Sequence, residues 1–404
     1  MLHADYFPPM RQLGAILGFL LLSAVLCCCE FAIGQAPPPK KSEILRRFPL
    51  NQFYDTPKSL PSGSPGQLIR SESFEEYNLP EDVNAIRILY HSRSAAGEDV
   101  ASSGVILYPE EEQPPAGGWP VLAWAHPWTG VARDCAPSLD RDLQRGSFLA
   151  MYVRLGYAVV ATDYAGLGSN FRAAFADAQS NAMDVIYSVA AARRAMPQLG
   201  QRWLVMGTGE GAPAAMAVAE AEHGIHDPNY LGSIALSGLA DLQDVYDHLD
   251  VLSYEAPLFL AYGIQTAEPQ FKPADILSDK GFHRYVEIHE TCDEAETDRG
   301  ISAAEVVKPD WEHNQYVQNY FSRTRVGLKP ADAPLLVISG ETEPALNEAA
   351  KVVGRLCKQG DRVDFEKYPE SDPSSVVGDS VRDQIGWIQA RFANKPARSN
   401  CSIH

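Results

Sequence analysis

The sequence predicts an α/β fold in which a mostly parallel sheet is flanked by helices and interrupted by an inserted cap. Three observations predict it. Continuous apolar runs of strand length alternate with helix-like stretches, the pattern of central strands covered on both faces. One of those runs, Trp203-Leu204-Val205-Met206, leads through Gly207-Thr208-Gly209-Glu210-Gly211 into a helix-forming stretch from Ala212 to Ala221. Residues 240 to 330 lose the alternation and carry many aromatics, among them Tyr254, Phe259, Tyr262, Trp311 and Tyr320, as a cap does.

Taken in order, the chain opens with Arg11, an uncharged run from Leu13 to Cys29, and the small-residue sequence Ala32-Ile33-Gly34-Gln35-Ala36. A basic residue, an apolar stretch and an A-x-G site describe a signal peptide over residues 1–34. An uncleaved anchor is the other reading, although a membrane helix needs about 20 apolar residues. Cys27-Cys28-Cys29 lack the small preceding residue of a lipidation site. Residues 35–52, with a proline- and lysine-rich start, read as a linker. The core is expected over 53–239 and 331–395, the cap over 240–330, and a tail over 396–404. Residues 86–90 and 103–108 read as an antiparallel hairpin turning near Gly97. Residues 119–125 and 157–162 read as buried strands. Ala173 to Met196 reads as a long helix stopped by Pro197, and 231–237, 334–339 and 363–368 as further strands. A last helix is expected over 376–393.

The chain has 404 residues, 45% hydrophobic and 21% charged, which are values of a folded globular protein. Its net charge is −18. Loss of residues 1–34 removes Arg11, Asp5 and Glu30 and leaves −17. Such acidity excludes nucleic acid as a partner and disfavours anionic membrane unless the N-terminal segment stays uncleaved. Cleavage also leaves Cys135, Cys292, Cys357 and Cys401, an even number that fits two disulfides in an exported chain, with three possible pairings. Buried free thiols are the alternative. No H-E-x-x-H, C-x-x-C or Walker loop is present, and His223 and His226 read as surface residues, so no metal or cofactor is expected.

Further residues narrow the fold. Phe53-Tyr54 with Pro57, Ile88-Leu89-Tyr90 with Ser92, and Ala123-Trp124-Ala125-His126 with Thr129-Gly130 come first. Cys135-Ala136-Pro137-Ser138, Asp163-Tyr164 with Gly166-Leu167-Gly168, Pro334-Leu335-Leu336 with Gly340, and Tyr368-Pro369 follow in order. In that order and spacing, over most of the sequence after residue 34, the chain resembles the secretory lipases of the α/β-hydrolase superfamily. The resemblance implies an ester hydrolase with a Ser–Asp–His triad, the serine standing on a sharp strand-to-helix turn. Here that position is Gly209, which carries no oxygen. The acid position falls on Glu343, and glutamate can orient a histidine. The histidine position falls on Pro373, and no histidine occurs between His313 and His404. With nothing to orient, Glu343 reads as a solvated loop carboxylate. The oxyanion-hole amides fall on Trp128 and Glu210, but the preceding Pro127 has no N–H, and the Glu210 carboxylate brings negative charge beside a developing oxyanion. His126 reads as a structural histidine.

The expected function is therefore a secreted, periplasmic or cell-envelope protein with a secretory-lipase-like fold and no catalytic machinery, binding a hydrophobic or ester-like ligand such as a fatty acid, or another protein. An active esterase or lipase with a rearranged mechanism and a purely structural envelope protein are the two rivals. Since Cys135 follows the oxyanion loop and Cys292 falls in the cap, a bridge between them ties cap to core. Cys357 and Cys401 then fasten the tail.

Overall fold

The computed structural model describes residues 46–404 except 57–61, 95, 111–112, 289–291, 293–299, 343–347 and 402–404. The expected signal peptide and Glu343 lie outside the described residues. The strands are β1 (Leu68–Ser73), β2 (Val83–Arg93), β3 (Asp99–Pro109), β4 (Trp119–Ala125), β5 (Ala158–Thr162), β6 (Leu199–Thr208), β7 (Tyr230–Leu236), β8 (Leu335–Gly340) and β9 (Val363–Tyr368). They form one nine-stranded sheet ordered β1-β2-β3-β5-β4-β6-β7-β8-β9. From β5 to β9 every pair is parallel, while β1, β2 and β3 run antiparallel at one end. The β2–β3 hairpin pairs without a break from Val83↔Pro109 to Arg93↔Asp99.

Alternation along each strand divides the interior into two cores. On β4, Val121, Ala123 and Ala125 join a core with helices α2 (Ala178–Ala195), α3 (Gly211–Ile225) and α9 (Ala349–Gln359). Leu122 and Trp124 join the other, with α1 (Gly146–Arg154), α10 (Val376–Asp379) and α11 (Val381–Phe392). Between β7 and β8 the chain leaves the sheet for an insertion carrying α4 (Leu242–Tyr246), α5 (Ala256–Ala267), α6 (Asp279–Tyr285), α7 (Ala303–Val306) and α8 (Gln315–Thr324). Its aromatics Tyr254, Phe259, Trp311, Tyr320 and Phe321 are buried in the second core.

Two expectations need correction. The helix expected from Ala173 starts at Ala178, because Asp177 caps it by accepting the N–H of Ser180 and Ala176 has φ +50°. Residues 173–177 are a loop. The described part of the expected linker, 46–52, packs on the core. Phe48 is buried and donates its N–H to Leu139 O at 2.7 Å, and Arg46 pairs with Asp140 at 3.0 Å. Phe48 and Phe74 stack over the guanidinium of Arg87, which is fully buried and also bonds Tyr77 and the Ser138 carbonyl. A charge on an apolar strand is held here by an aromatic cage.

Both expected cysteine pairs stand at bonding distance, with Cα separations of 4.9 Å for Cys135–Cys292 and 5.3 Å for Cys357–Cys401. Before Cys401, Asn400 bonds along β9, its side chain pairing both backbone groups of Phe365. No helix among the described residues is long and apolar enough to cross a membrane.

Candidate functional site

The turn from β6 into α3 lies at the C-terminal edge of the parallel strands, where open α/β sheets place their ligands. Its glycines have separate physical reasons. A β-carbon on Gly207 would lie 2.0 Å from the Gly211 carbonyl oxygen, and one on Gly211 would lie 2.0 Å from the Ala125 oxygen. Backbone thus touches backbone where α3 starts beside β4, and no larger residue fits. Gly209, at the tip, has φ +56°, which glycine adopts without strain. A β-carbon there would stand 3.1 Å from Pro127 Cβ. Gly238, after β7, closes on Gly209 from another side. The sharp turn is intact and its tip bears no functional group.

The loop after β4 supplies the neighbours of that tip. Trp128 is half-buried, with its ring 4.8 Å from Phe175 and 4.6 Å from Phe259 of α5. His126 is buried and stacks on Tyr164 at 4.1 Å. Its Nδ1 faces the Pro127 oxygen at 2.6 Å and its Nε2 faces the Asp163 oxygen at 3.1 Å. Burial lowers its pKa to about 4, although the two carbonyls favour the charged form. A neutral imidazole has one N–H and donates to only one of these carbonyls, and among the described residues neither nitrogen faces a hydroxyl whose proton it could take. The carboxylate of Asp163 is likewise spent: it accepts from Ser138 N at 2.8 Å and from the hydroxyls of Ser138 and Ser103.

Glu210 corrects an expectation. Its side chain turns to the start of α2, where Oε1 accepts the N–H of Ala176 at 2.6 Å and Nδ2 of Asn181 at 3.2 Å. Burial pushes it up to about 7, with Asp177 adding in the same direction. Its charge is therefore tied into the α2 loop, and is partly neutralised at pH 7.

The loops expected to carry acid and base do meet. Thr342 donates its N–H to Ser371 O at 3.3 Å and Glu341 donates to Tyr368 O at 3.2 Å, so the segment after β8 lies against the one after β9. Glu343, one residue further on, lies outside the described residues. Pro373 is half-buried in a turn before α10, between Asp372, which accepts the N–H groups of Ser374 and Ser375, and those serines. His223 and His226 both face Asp332, at 4.0 and 3.5 Å, at the far end of α3.

Residues 145–400, from the start of α1 to the tail, match the secretory lipase family. The chain belongs to that family. Among solved structures it is similar to Candida antarctica lipase A, with a TM-score of 0.72 and 17% identity over 88% of this chain and 89% of that one. A rice cell wall degrading esterase from Xanthomonas oryzae gives a TM-score of 0.67 at 17% identity, over 82% of this chain and 98% of that one. A Legionella pneumophila protein described as a putative hydrolase gives 0.66 at 16% identity, over 80% and 98%. At such identities these likenesses establish a shared α/β-hydrolase fold. Among curated protein sequences none matches. For this secretory lipase family member, sequence reasoning missed two features near the elbow. One is the loop 173–177, whose alanines imitate helix. The other is a pair of buried hydroxyls, Thr129 Oγ1 and Ser237 Oγ, without a hydrogen-bond partner among the described residues. Ser237 also has φ +54°, a strained conformation for serine.

Proposed function

We propose that this secretory lipase family member is a non-catalytic, exported binder of a fatty acid or ester-like molecule. One observation carries the reading: the tip of the elbow is Gly209, with no oxygen to attack a carbonyl, and both ring nitrogens of the nearby His126 face backbone carbonyls and no hydroxyl. The ligand half rests on the surroundings. Trp128, Phe175 and Phe259 give an apolar wall. Thr129 and Ser237, on the two loops that press on Gly209, hold unused hydroxyls able to meet a carboxyl or ester group. The two disulfides fit an oxidising compartment.

The test has two arms. Removing serine or histidine from an intact triad lowers the rate on the order of 10⁶-fold. The protein is expected to hydrolyse p-nitrophenyl acyl esters no faster than an albumin control, and to take no label from a fluorophosphonate. Gly209→Ser alone is expected to stay inactive, for want of a base. Calorimetry against a panel of fatty acids and short esters is expected to show saturable binding. Efficient turnover with one-to-one labelling would establish the rearranged esterase instead, and no binding at millimolar ligand would leave the structural envelope protein.

A further inference from the structure

The end of α3 away from the elbow gathers side chains that the proposed binding site does not use. His223 stands in the last turn, and His226 is the C-cap, in the left-handed conformation usually given to glycine. Beyond the insertion, the chain returns along this end of the helix. Leu328 and Lys329 donate their N–H groups to Glu220 Oε1, and Asp332 donates its own to Ala219 O at 3.3 Å. That return sets Asp332 Oδ1 4.0 Å from His223 Nδ1 and 3.5 Å from His226 Nδ1. Sequence spacing shows only the two histidines, and the fold adds the carboxylate.

These separations are too long for N–H···O hydrogen bonds, which close at about 2.7–3.2 Å. They approach the spacing of metal ligands, since a tetrahedral zinc ion with bonds of about 2.0–2.1 Å holds its ligand atoms about 3.4 Å apart. The two imidazole centroids lie 5.8 Å apart, within reach of a single ion set between them. Neither imidazole nor the Asp332 carboxylate makes a hydrogen bond to a described residue, and the side chains are 49%, 67% and 32% exposed. They are free to turn the small distance that remains.

A second observation points to a cation. Glu222 is 1% exposed, yet only one of its oxygens is used: Oε2 accepts the N–H of Asp227, and Oε1 has no partner among the described residues. Burial raises its pKa to about 7, and the nearby Asp227 and Asp332 add to that as like charges. Asp361 is raised by burial and by Glu220, with His223 opposing, and its Oδ2 is also buried and unpaired while Oδ1 accepts from Ala331. The remaining groups are committed. Asp227 bonds Trp203 Nε1 and Asn229, and Arg193, the cation near it, is turned to the carbonyls of Gly200 and Gln201. Buried carboxylate oxygens without donors are costly unless positive charge sits among them.

We propose that His223, His226 and Asp332 bind one divalent transition cation of the zinc class, with Glu222 supplying negative charge beside it, and that the ion clasps the end of α3 to the segment returning from the insertion.

Two imidazoles with carboxylate oxygen suit zinc better than calcium or magnesium, which take oxygen ligands. Asp310, Glu312 and His313 also lie within ligand distance of one another, but on a single, mostly exposed turn with no buried, unpaired oxygen, and they serve as the control. The proposed site is about 20 Å from Gly209 along α3, so it stands whatever the elbow binds.

Calorimetric titration of the untagged protein with zinc chloride at neutral pH tests it. One Zn²⁺ per chain is expected to bind with a micromolar or tighter Kd and to raise the thermal midpoint, and Co²⁺ in its place to give a visible d–d absorption band. His223→Ala, His226→Ala and Asp332→Asn are each expected to weaken binding at least about tenfold, since even outer-shell partners of a metal are worth that much. His313→Ala is expected to bind like the unmodified protein. Binding only at millimolar zinc, or binding unchanged in His226→Ala, would show an adventitious ion only and overturn the site. If a variant fails to fold, diethyl pyrocarbonate mapping of the unmodified protein decides. Zinc is expected to protect His223 and His226 and to leave His313 reactive, and equal modification with and without zinc overturns the site equally.

Discussion

At position 209 a side chain would have to enter a left-handed backbone and meet Pro127 Cβ at 3.1 Å, while at 207 and 211 it would meet carbonyl oxygens at 2.0 Å. The first contact can relax by a few tenths of an ångström, since Pro127 stands on a loop. The others cannot, since both atoms belong to packed backbone. Gly209→Ser is therefore expected to destabilise by about 1–2 kcal/mol, and Gly207→Ala or Gly211→Ala by about 3 kcal/mol. Denaturant midpoints measure the difference, and equal losses at all three positions would contradict the geometry. This part of the site was legible in sequence because the reason is local: strand, glycine pair and helix lie in one stretch. The direction of the Glu210 side chain was not, because its partners, Ala176 and Asn181, come from a segment whose alanines look helical throughout. Arg87 was hidden for the same kind of reason, since its aromatic cage is gathered from residues 48, 54, 74 and 77.

Elements buried on both faces were the readable ones. β4, β6, β7 and β8 carry mostly apolar runs because helices cover them on each side. β1, with the sequence Leu-Ile-Arg-Ser-Glu-Ser, sits at the sheet edge with one half exposed, and no apolar period marks it. The helices of the insertion were visible only as aromatic content, because their packing partners lie in other segments. Besides this packing, one fastening of the insertion is covalent: Cys135–Cys292 spans 157 residues, whereas Cys357–Cys401 spans 44. If each bridge acts by restricting the unfolded chain, the longer loop contributes more, by about 1 kcal/mol. Paired Cys→Ala replacements are expected to show that order in thermal or denaturant unfolding, and the 135–292 replacement to raise hydrogen exchange in α5 and α8 as well. A larger loss from the 357–401 replacement would show that the tail, with its bonds along β9, matters more than the insertion.

For the whole molecule, pH is the variable that the buried groups control together. Among the described residues, Asp184, Glu210 and Glu222 are each pushed up to about 7 by burial, and Asp163 is raised by the same cause. Between an unfolded value near 4 and that folded value, the native protein keeps protons that the unfolded chain has lost. Folding then takes up protons, so the contribution of these carboxyls is greatest at the acid end of the window and declines as pH rises to about 7. His126 works the other way. Its pKa falls from an ordinary 6.5 to about 4, so folding expels its proton between those values and stability drops as the solution is acidified through them. The carboxyls outnumber it, and each unmatched proton is worth up to about 1.4 kcal/mol per pH unit. Exposed carboxyls such as Asp82 and Asp372 are lowered by their partners and matter only in stronger acid. The net charge of −18 adds to the trend, because deprotonation above pH 5 increases self-repulsion in the compact state. Thermal unfolding is therefore expected to give a higher midpoint at pH 5 than at pH 7.5. Asp184→Asn combined with Glu222→Gln should flatten that slope without moving its sign at Glu210. A midpoint that climbed steadily from pH 5 to pH 8, or proton release on refolding at pH 6 in place of uptake, would mean that these carboxyls are ionised in the native protein and that the interior around them is wetter than its packing implies.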